Sequence, residues 1–223
     1  MTSNYNTLPP ELSIPKAWGF DDSDKEYFLE DIWGMVLKGN SDLEEYLEIF
    51  HDSFQDVPVT DDELTDYFRS VLALRRAQLQ ALGGVPETNL SRAFNDLNNA
   101  GIIARADFTC CGTCASAEIG DERDDTQNWR GYVYFHTQDT DSIFESRSTY
   151  IGYGAFVDAH YTEQEWDALG KKQDKAYEQT TLTLMREEVI PVFEKHGITV
   201  DWNGSLRTRI LLDNVDYVAA LDD

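Results

Sequence analysis

The three cysteines of the chain fall within five positions, as Cys110, Cys111 and Cys114 in Phe108-Thr109-Cys110-Cys111-Gly112-Thr113-Cys114. A thiolate is both a nucleophile and a ligand for soft metals, so clustered sulfur is the clearest chemical signal in the sequence. The cluster follows a predicted strand and precedes a short predicted helix. That puts Cys111 near a helix N-terminus, where unpaired N–H groups favour the thiolate. Cys111 and Cys114 have the spacing of dithiol redox pairs and of half a zinc knuckle. A structural zinc ion takes four ligands, and no second pair exists, so the others would come from His136, His160, Glu118 or an Asp. Adjacent Cys110 and Cys111 side chains tend to diverge, which argues against three sulfurs on one ion. The plain alternative is that the cysteines are small buried residues at a tight junction, reduced and inert.

A second loaded stretch is Gly131-Tyr132-Val133-Tyr134-Phe135-His136-Thr137-Gln138-Asp139-Thr140-Asp141. In an extended strand Tyr132, Tyr134 and His136 share one face, and Val133 and Phe135 take the other. His136, Gln138 and Asp139 then sit at the strand's carboxyl end, where ligands bind in sheets with parallel crossover units. The cysteines follow the carboxyl end of another predicted strand, so the two groups could meet. Cys111, Cys114, His136 and Asp139 are therefore the candidate catalytic set, with a thiol nucleophile, an imidazole base and a carboxylate to orient it. Cys110, Cys111, Cys114 and His136 are the candidate metal ligands, with zinc as the ion. Thr140 and Asp141 ahead of Ile143 also read as an ordinary helix cap.

These residues must be positioned by elements that the periodicity locates. Residues 1–20, with Pro9, Pro10 and Pro15, read as an irregular lead-in. Residues 21–101 read as helical: apolar stripes at Tyr27, Phe28, Ile32, Met35 and Val36, at Leu43, Tyr46, Leu47, Phe50 and Phe54, and at Leu64, Phe68, Val71, Leu72 and Leu79. The Thr60/Glu63 pair is a capping box, and Thr88 caps a fourth helix that Gly101 stops. Residues 102–223 read as an α+β region. Short β-branched and aromatic runs at 102–108, 131–136, 150–156, 198–202 and 208–212 are strands. A long helix over about 163–196, with Leu182, Met185, Val189 and Phe193 inward and a kink at Pro191, supplies a crossover. Asn203-Gly204 signals a two-residue hairpin between the last strands. The fold class is α+β, with a helical N-terminal half on a mixed sheet as one globule.

Weaker signals have structural readings. Asp201-Trp202-Asn203-Gly204 reads as a turn with a packed Trp, and Gly152-Tyr153-Gly154 as a strand kept narrow for close packing or ligand approach. The 121–125 acidic loop lacks EF-hand spacing. No P-loop, GxGxxG or GxSxG is present. Residues 90–105 have the cadence of a winged-helix recognition helix running into a wing strand, with Arg92 as the helix's one cation against Asp96.

The chain has 223 residues, with 18 Lys and Arg against 42 Asp and Glu, a formal charge of −24. Its 41% hydrophobic content excludes a disordered acidic tail. The field of that charge disfavours nucleic acid and anionic membranes and favours a basic protein partner. No stretch has the apolar length of a membrane span, and residues 1–20 lack a secretory pattern, so the expected location is cytoplasmic.

At Ala93-Phe94, Gly101-Ile102, Phe108 to Cys114 with Glu118-Ile119, Gly131-Tyr132 with His136 and Gln138-Asp139-Thr140, Tyr153-Gly154-Ala155, and Asp201-Trp202 with Gly204, the chain resembles a bacterial, mainly actinobacterial, domain-of-unknown-function family. The resemblance runs from the third helix to near the C-terminus. Glycine commonly follows the third cysteine in that pattern, where Ala115 stands here. The resemblance implies membership and no reaction type. The leading expectation is thus a thiol- or metal-dependent pocket built by the cysteines and His136. The alternatives are a noncatalytic acidic interaction module with structural cysteines, and a winged-helix-like protein linked to transcription.

Overall fold

A computed structural model describes residues 5–55 and 57–221. The chain divides into two compact units, one of the residues up to Pro86 with those from Val218, the other Glu87–Tyr217. In the first unit, α1 (Asp22–Leu37), α2 (Leu43–Phe54) and α3 (Asp61–Ala81) each begin on an acidic or hydroxyl cap: Asp21, Asp42 and Thr60. The Thr60/Glu63 capping box forms in both directions, which satisfies two otherwise orphaned N–H groups. Within the lead-in, residues 5–20 have little regular structure but are fixed: Leu12, Ile14 and Trp18 are buried. Fully buried Arg75 donates to the carbonyl oxygen of Tyr5 and to the side chain of Asn6.

The second unit carries a mixed five-stranded sheet. Its elements in chain order are α4 (Asn89–Asn99), β1 (Ile102–Arg105), α5 (Gly112–Glu118), β2 (Gly131–Tyr134), α6 (Thr137–Ser146) and β3 (Ser148–Ala155). These are followed by α7 (Glu163–Leu169), α8 (Gln173–Leu184), α9 (Ile190–Lys195), β4 (Thr199–Asp201) and β5 (Ile210–Asp213). Strand order is β1-β2-β3-β5-β4. β1 and β2 run parallel, and every other neighbouring pair is antiparallel. Helix α4 belongs with the sheet. Its Leu90, Phe94 and Leu97 pack with Ile102, Ala104, Val133, Phe135, Met185, Val189 and Phe193 on one face. The opposite face at β1 and β2 packs Ile103 and Tyr134 with Tyr132, Ala115, Ile119, Trp129 and Phe156. The alternation expected along β2 is what separates these two cores.

Three sequence expectations change. The long helix is broken at Gly170, whose φ is +50°, and again by a π turn at Met185–Val189. Pro191 explains the second break: it lacks the N–H that an α-helical turn would donate to Glu187, and the ladder widens just before it. The wider turn buries Leu184 and Met185 and leaves Leu182 half-buried. β4 and β5 are antiparallel neighbours, but the connection spans 202–209 because Asn203 accepts from Ser205 N and Thr208 Oγ1, which forms a broader loop. Finally, β1 pairs in parallel with β2, so no antiparallel wing follows α4, and Asp96 on that helix is held by Lys195 and His196.

The Gly152 and Gly154 signal resolves as close packing. Tyr134 pairs with Gly152 and Tyr132 with Gly154 across the strands. A Cβ at either glycine would come within 2.5 Å and 2.4 Å, respectively, of the tyrosine opposite. The two phenols lie over the glycines, 6.1 Å apart and nearly parallel.

Candidate cysteine centre

Parallel pairing of β1 and β2 puts their carboxyl ends side by side, and both chemical stretches begin there. The ladder continues past the strands, with Phe135 N donating to Arg105 O, Phe108 N to Phe135 O, and Thr137 N to Thr109 O. Thr137 Oγ1 also donates to Thr109 O at 2.9 Å, and Thr140 Oγ1 to Asp107 Oδ1 at 2.8 Å. The start of α6 thus latches the loop that leads into the cysteines. That loop is strained: Asp107 and Thr109 have φ of +48° and +59°, a region that non-glycine residues rarely occupy. Such conformations persist where surrounding contacts over-determine them, and they concentrate at functional sites.

Cys111 is the N-cap of α5. This helix docks on the aromatic face of β2 through Ser116 Oγ and Tyr134 OH, 2.9 Å apart, and through Ala115, which is fully buried. Ile119, of the Glu118-Ile119 pair, is buried in the same cluster. The three sulfurs do not diverge: all lie within 4.8 Å of one another, and those of Cys110 and Cys114 are 3.5 Å apart. The turn from the strained loop into α5 folds Cys110 back over the helix start, which a purely local argument misses. Cys110 is exposed and the other two are partly so; all three are free thiols. The backbone N–H groups of Cys114 and Thr113, then the neighbouring thiols, hold the Cys111 thiol below its ordinary range. Hydrogen bonds to Cys110 and Cys111, and their charge when ionised, push the Cys114 thiol up to about 11.

His136 is the N-cap of α6 and is 7% exposed. Its Nε2 lies 3.1 Å from Asp139 Oδ2, and its buried Nδ1 has no hydrogen-bond partner among the described residues. Asp139 Oδ2 also accepts the His136 backbone N–H at 3.3 Å, so the cap begins at His136 rather than at Thr140, which is buried inside the helix. The ring lies beside the cysteine turn, where a methyl group at Gly112 would stand 3.6 Å from Cδ2 and Nε2. No hydrogen bond joins the imidazole to a sulfur among the described residues. The group of close metal-donor atoms there comprises the three sulfurs without His136, His160 or Glu118. His160 is committed elsewhere, with Nε2 2.8 Å from Arg130 O.

The sequence reading missed Arg209, which donates to both oxygens of Asp139 and to Tyr150 O. It precedes β5 with no local pattern to mark it. Thr137, Thr140 and Asp107 were equally silent, since a latch of hydroxyls has no spacing rule.

Three thiols at these separations can hold one metal ion. With zinc–sulfur bonds of about 2.3 Å, tetrahedral geometry sets sulfurs roughly 3.8 Å apart. No helix among the described residues is long and apolar enough to cross a membrane. No curated protein and no solved structure matches the chain. One family model does, over residues 21–219, and on that match the chain belongs to DUF6891, a domain of unknown function.

Proposed function

We propose that Cys110, Cys111 and Cys114 form a three-thiolate site for a thiophilic divalent ion, zinc being the natural candidate, with a fourth position left for a ligand from solution. The observation that carries this is the approach of all three sulfurs to within 4.8 Å of one another at the partly exposed end of a parallel strand pair. Three protein ligands plus an open position is the pattern of zinc sites that do chemistry, whereas closed four-ligand sites are structural. When bound there, zinc would polarise a ligand or lower the pKa of its water. His136 supports the reading as a buried base beside the turn that bears the ligands. Its Nε2 lies 3.1 Å from the Asp139 carboxylate, and its buried Nδ1 has no partner among the described residues, which leaves the ring placed to act on a ligand at the turn. A reducing, cytoplasmic location keeps the three thiols free for this use.

The test is elemental analysis of protein purified without chelator, paired with cobalt(II) loading of the stripped protein. One equivalent of metal and thiolate-to-cobalt charge-transfer bands are expected, and both should be lost in a Cys111→Ser/Cys114→Ser variant that still melts cooperatively. Metal-free protein that gives no such bands with cobalt refutes the site.

A further inference from the structure

Building on the metal reading of the triad, we propose that it is also a site of oxidation by hydroperoxides, and that the disulfide formed joins Cys110 to Cys114 rather than the CxxC pair Cys111 and Cys114. Sequence spacing favours the CxxC pair; the geometry favours the other. The Cys110 and Cys114 sulfurs are 3.5 Å apart, a direct contact. A cystine bond of about 2.05 Å is reached from there by roughly 1.5 Å of sulfur movement. Cys110 lies in the loop before α5 and is the exposed thiol of the three, so it meets the oxidant and moves without unwinding the helix. Cys111 is instead the N-cap of α5, so moving its sulfur would disturb the start of the helix.

The chemistry balances. The Cys110 sulfur attacks the O–O bond, giving a sulfenic acid and an alcohol, or water when the oxidant is hydrogen peroxide. Cys114 then displaces water from that sulfenic acid. In sum, two thiols and one hydroperoxide yield one disulfide, one alcohol and one water, with two electrons passing from sulfur to peroxide. A triad left with one thiolate no longer holds a divalent ion, so oxidation and release of the metal become one event.

The experiment treats full-length protein, metal-free and zinc-loaded, with stoichiometric hydrogen peroxide. It follows intact mass, titratable thiols and, separately, zinc released to a chromophoric chelator. Wild type and Cys111→Ser should each lose two hydrogens in mass and two thiols, while Cys110→Ser and Cys114→Ser should form no intramolecular disulfide. In the zinc-loaded wild type, release should track disulfide formation one to one. The assignment is overturned if Cys110→Ser closes a disulfide as fast as wild type while Cys111→Ser does not, or if wild type goes to sulfinic acid without one. The metal-free arm makes the two ideas separable: a disulfide of the stated pairing in protein that never binds zinc upholds this inference while refuting the metal site.

Discussion

Arg209 and Asp139 are joined by two parallel hydrogen bonds, Nη1 to Oδ1 at 2.9 Å and Nη2 to Oδ2 at 2.5 Å, so a residue at the foot of β5 fixes the carboxylate that lies 3.1 Å from His136 Nε2. The fork geometry matches a carboxylate plane in a way an ammonium does not. Arg209 also caps the carbonyl of Tyr150 and lies over its ring, which ties the edge of β3 into the same network.

Removing the guanidinium would leave a largely buried carboxylate facing an imidazole alone. Arg209→Ala is expected to destabilise the fold by about 2–4 kcal/mol, with Arg209→Lys recovering less than half of that. Urea unfolding midpoints measure it. An Arg209→Ala midpoint equal to that of wild type would show that the pair contributes nothing.

Glycine substitutions should divide sharply. At Gly152 a methyl group meets the Tyr134 ring at 2.5 Å and at Gly154 the Tyr132 hydroxyl at 2.4 Å, so Gly152→Ala and Gly154→Ala are each expected to cost roughly 1–3 kcal/mol. At Gly112 the nearest atoms are 3.6 Å away, which is ordinary contact. Gly112→Ala should therefore melt within a degree or two of wild type, or slightly above it, because alanine is the better helix former by about 1 kcal/mol. Thermal melts of the three variants decide the matter.

Metal uptake by thiols displaces protons, so affinity should fall as pH drops and loading should acidify an unbuffered solution. Competition against a chromophoric chelator, run at two pH values on either side of neutrality, is expected to give tighter binding at the higher one. A pH-independent affinity would point to a site that does not use thiolates.

Asp96 on α4 accepts from Lys195 Nζ at 2.7 Å and from His196 Nε2 at 2.8 Å, and these bonds hold its pKa below the ordinary aspartate value. A depressed folded-state pKa means that its stabilisation is complete above the unfolded value and disappears as pH falls through the folded one. Asp96→Asn should thus be less stable than wild type at neutral pH, and the gap should close under acid. Melting curves for both proteins at neutral and strongly acidic pH would expose a gap that fails to narrow.

Much of this was legible in the sequence because it is governed by local rules. The capping box at Thr60, the stops at glycine and the alternation along β2 each involve neighbours within a few residues, and each forms as read. What escaped notice depends on tertiary closure. The meeting of Cys111 and His136 at one sheet end was expected from the carboxyl ends of two strands, whereas the latch from Thr137 and Thr140 and the grip of Arg209 need partners 28, 33 and 70 residues away. The divergence expected of Cys110 and Cys111 failed for the same reason: Asp107 and Thr109 adopt positive-φ backbone angles that the latch to α6 helps to hold.

Those two left-handed residues carry a further implication for anyone who would reduce the cysteine turn to a model compound. A synthetic peptide spanning 105–120 has the same three thiols in the same order, yet nothing in it compels the unfavourable dihedrals. Such a peptide would have to organise itself upon each ion it captured and should bind it more weakly than the intact domain does. The chelation proposed for this turn would therefore be a property of the whole sheet, lent to a segment that does not possess it alone.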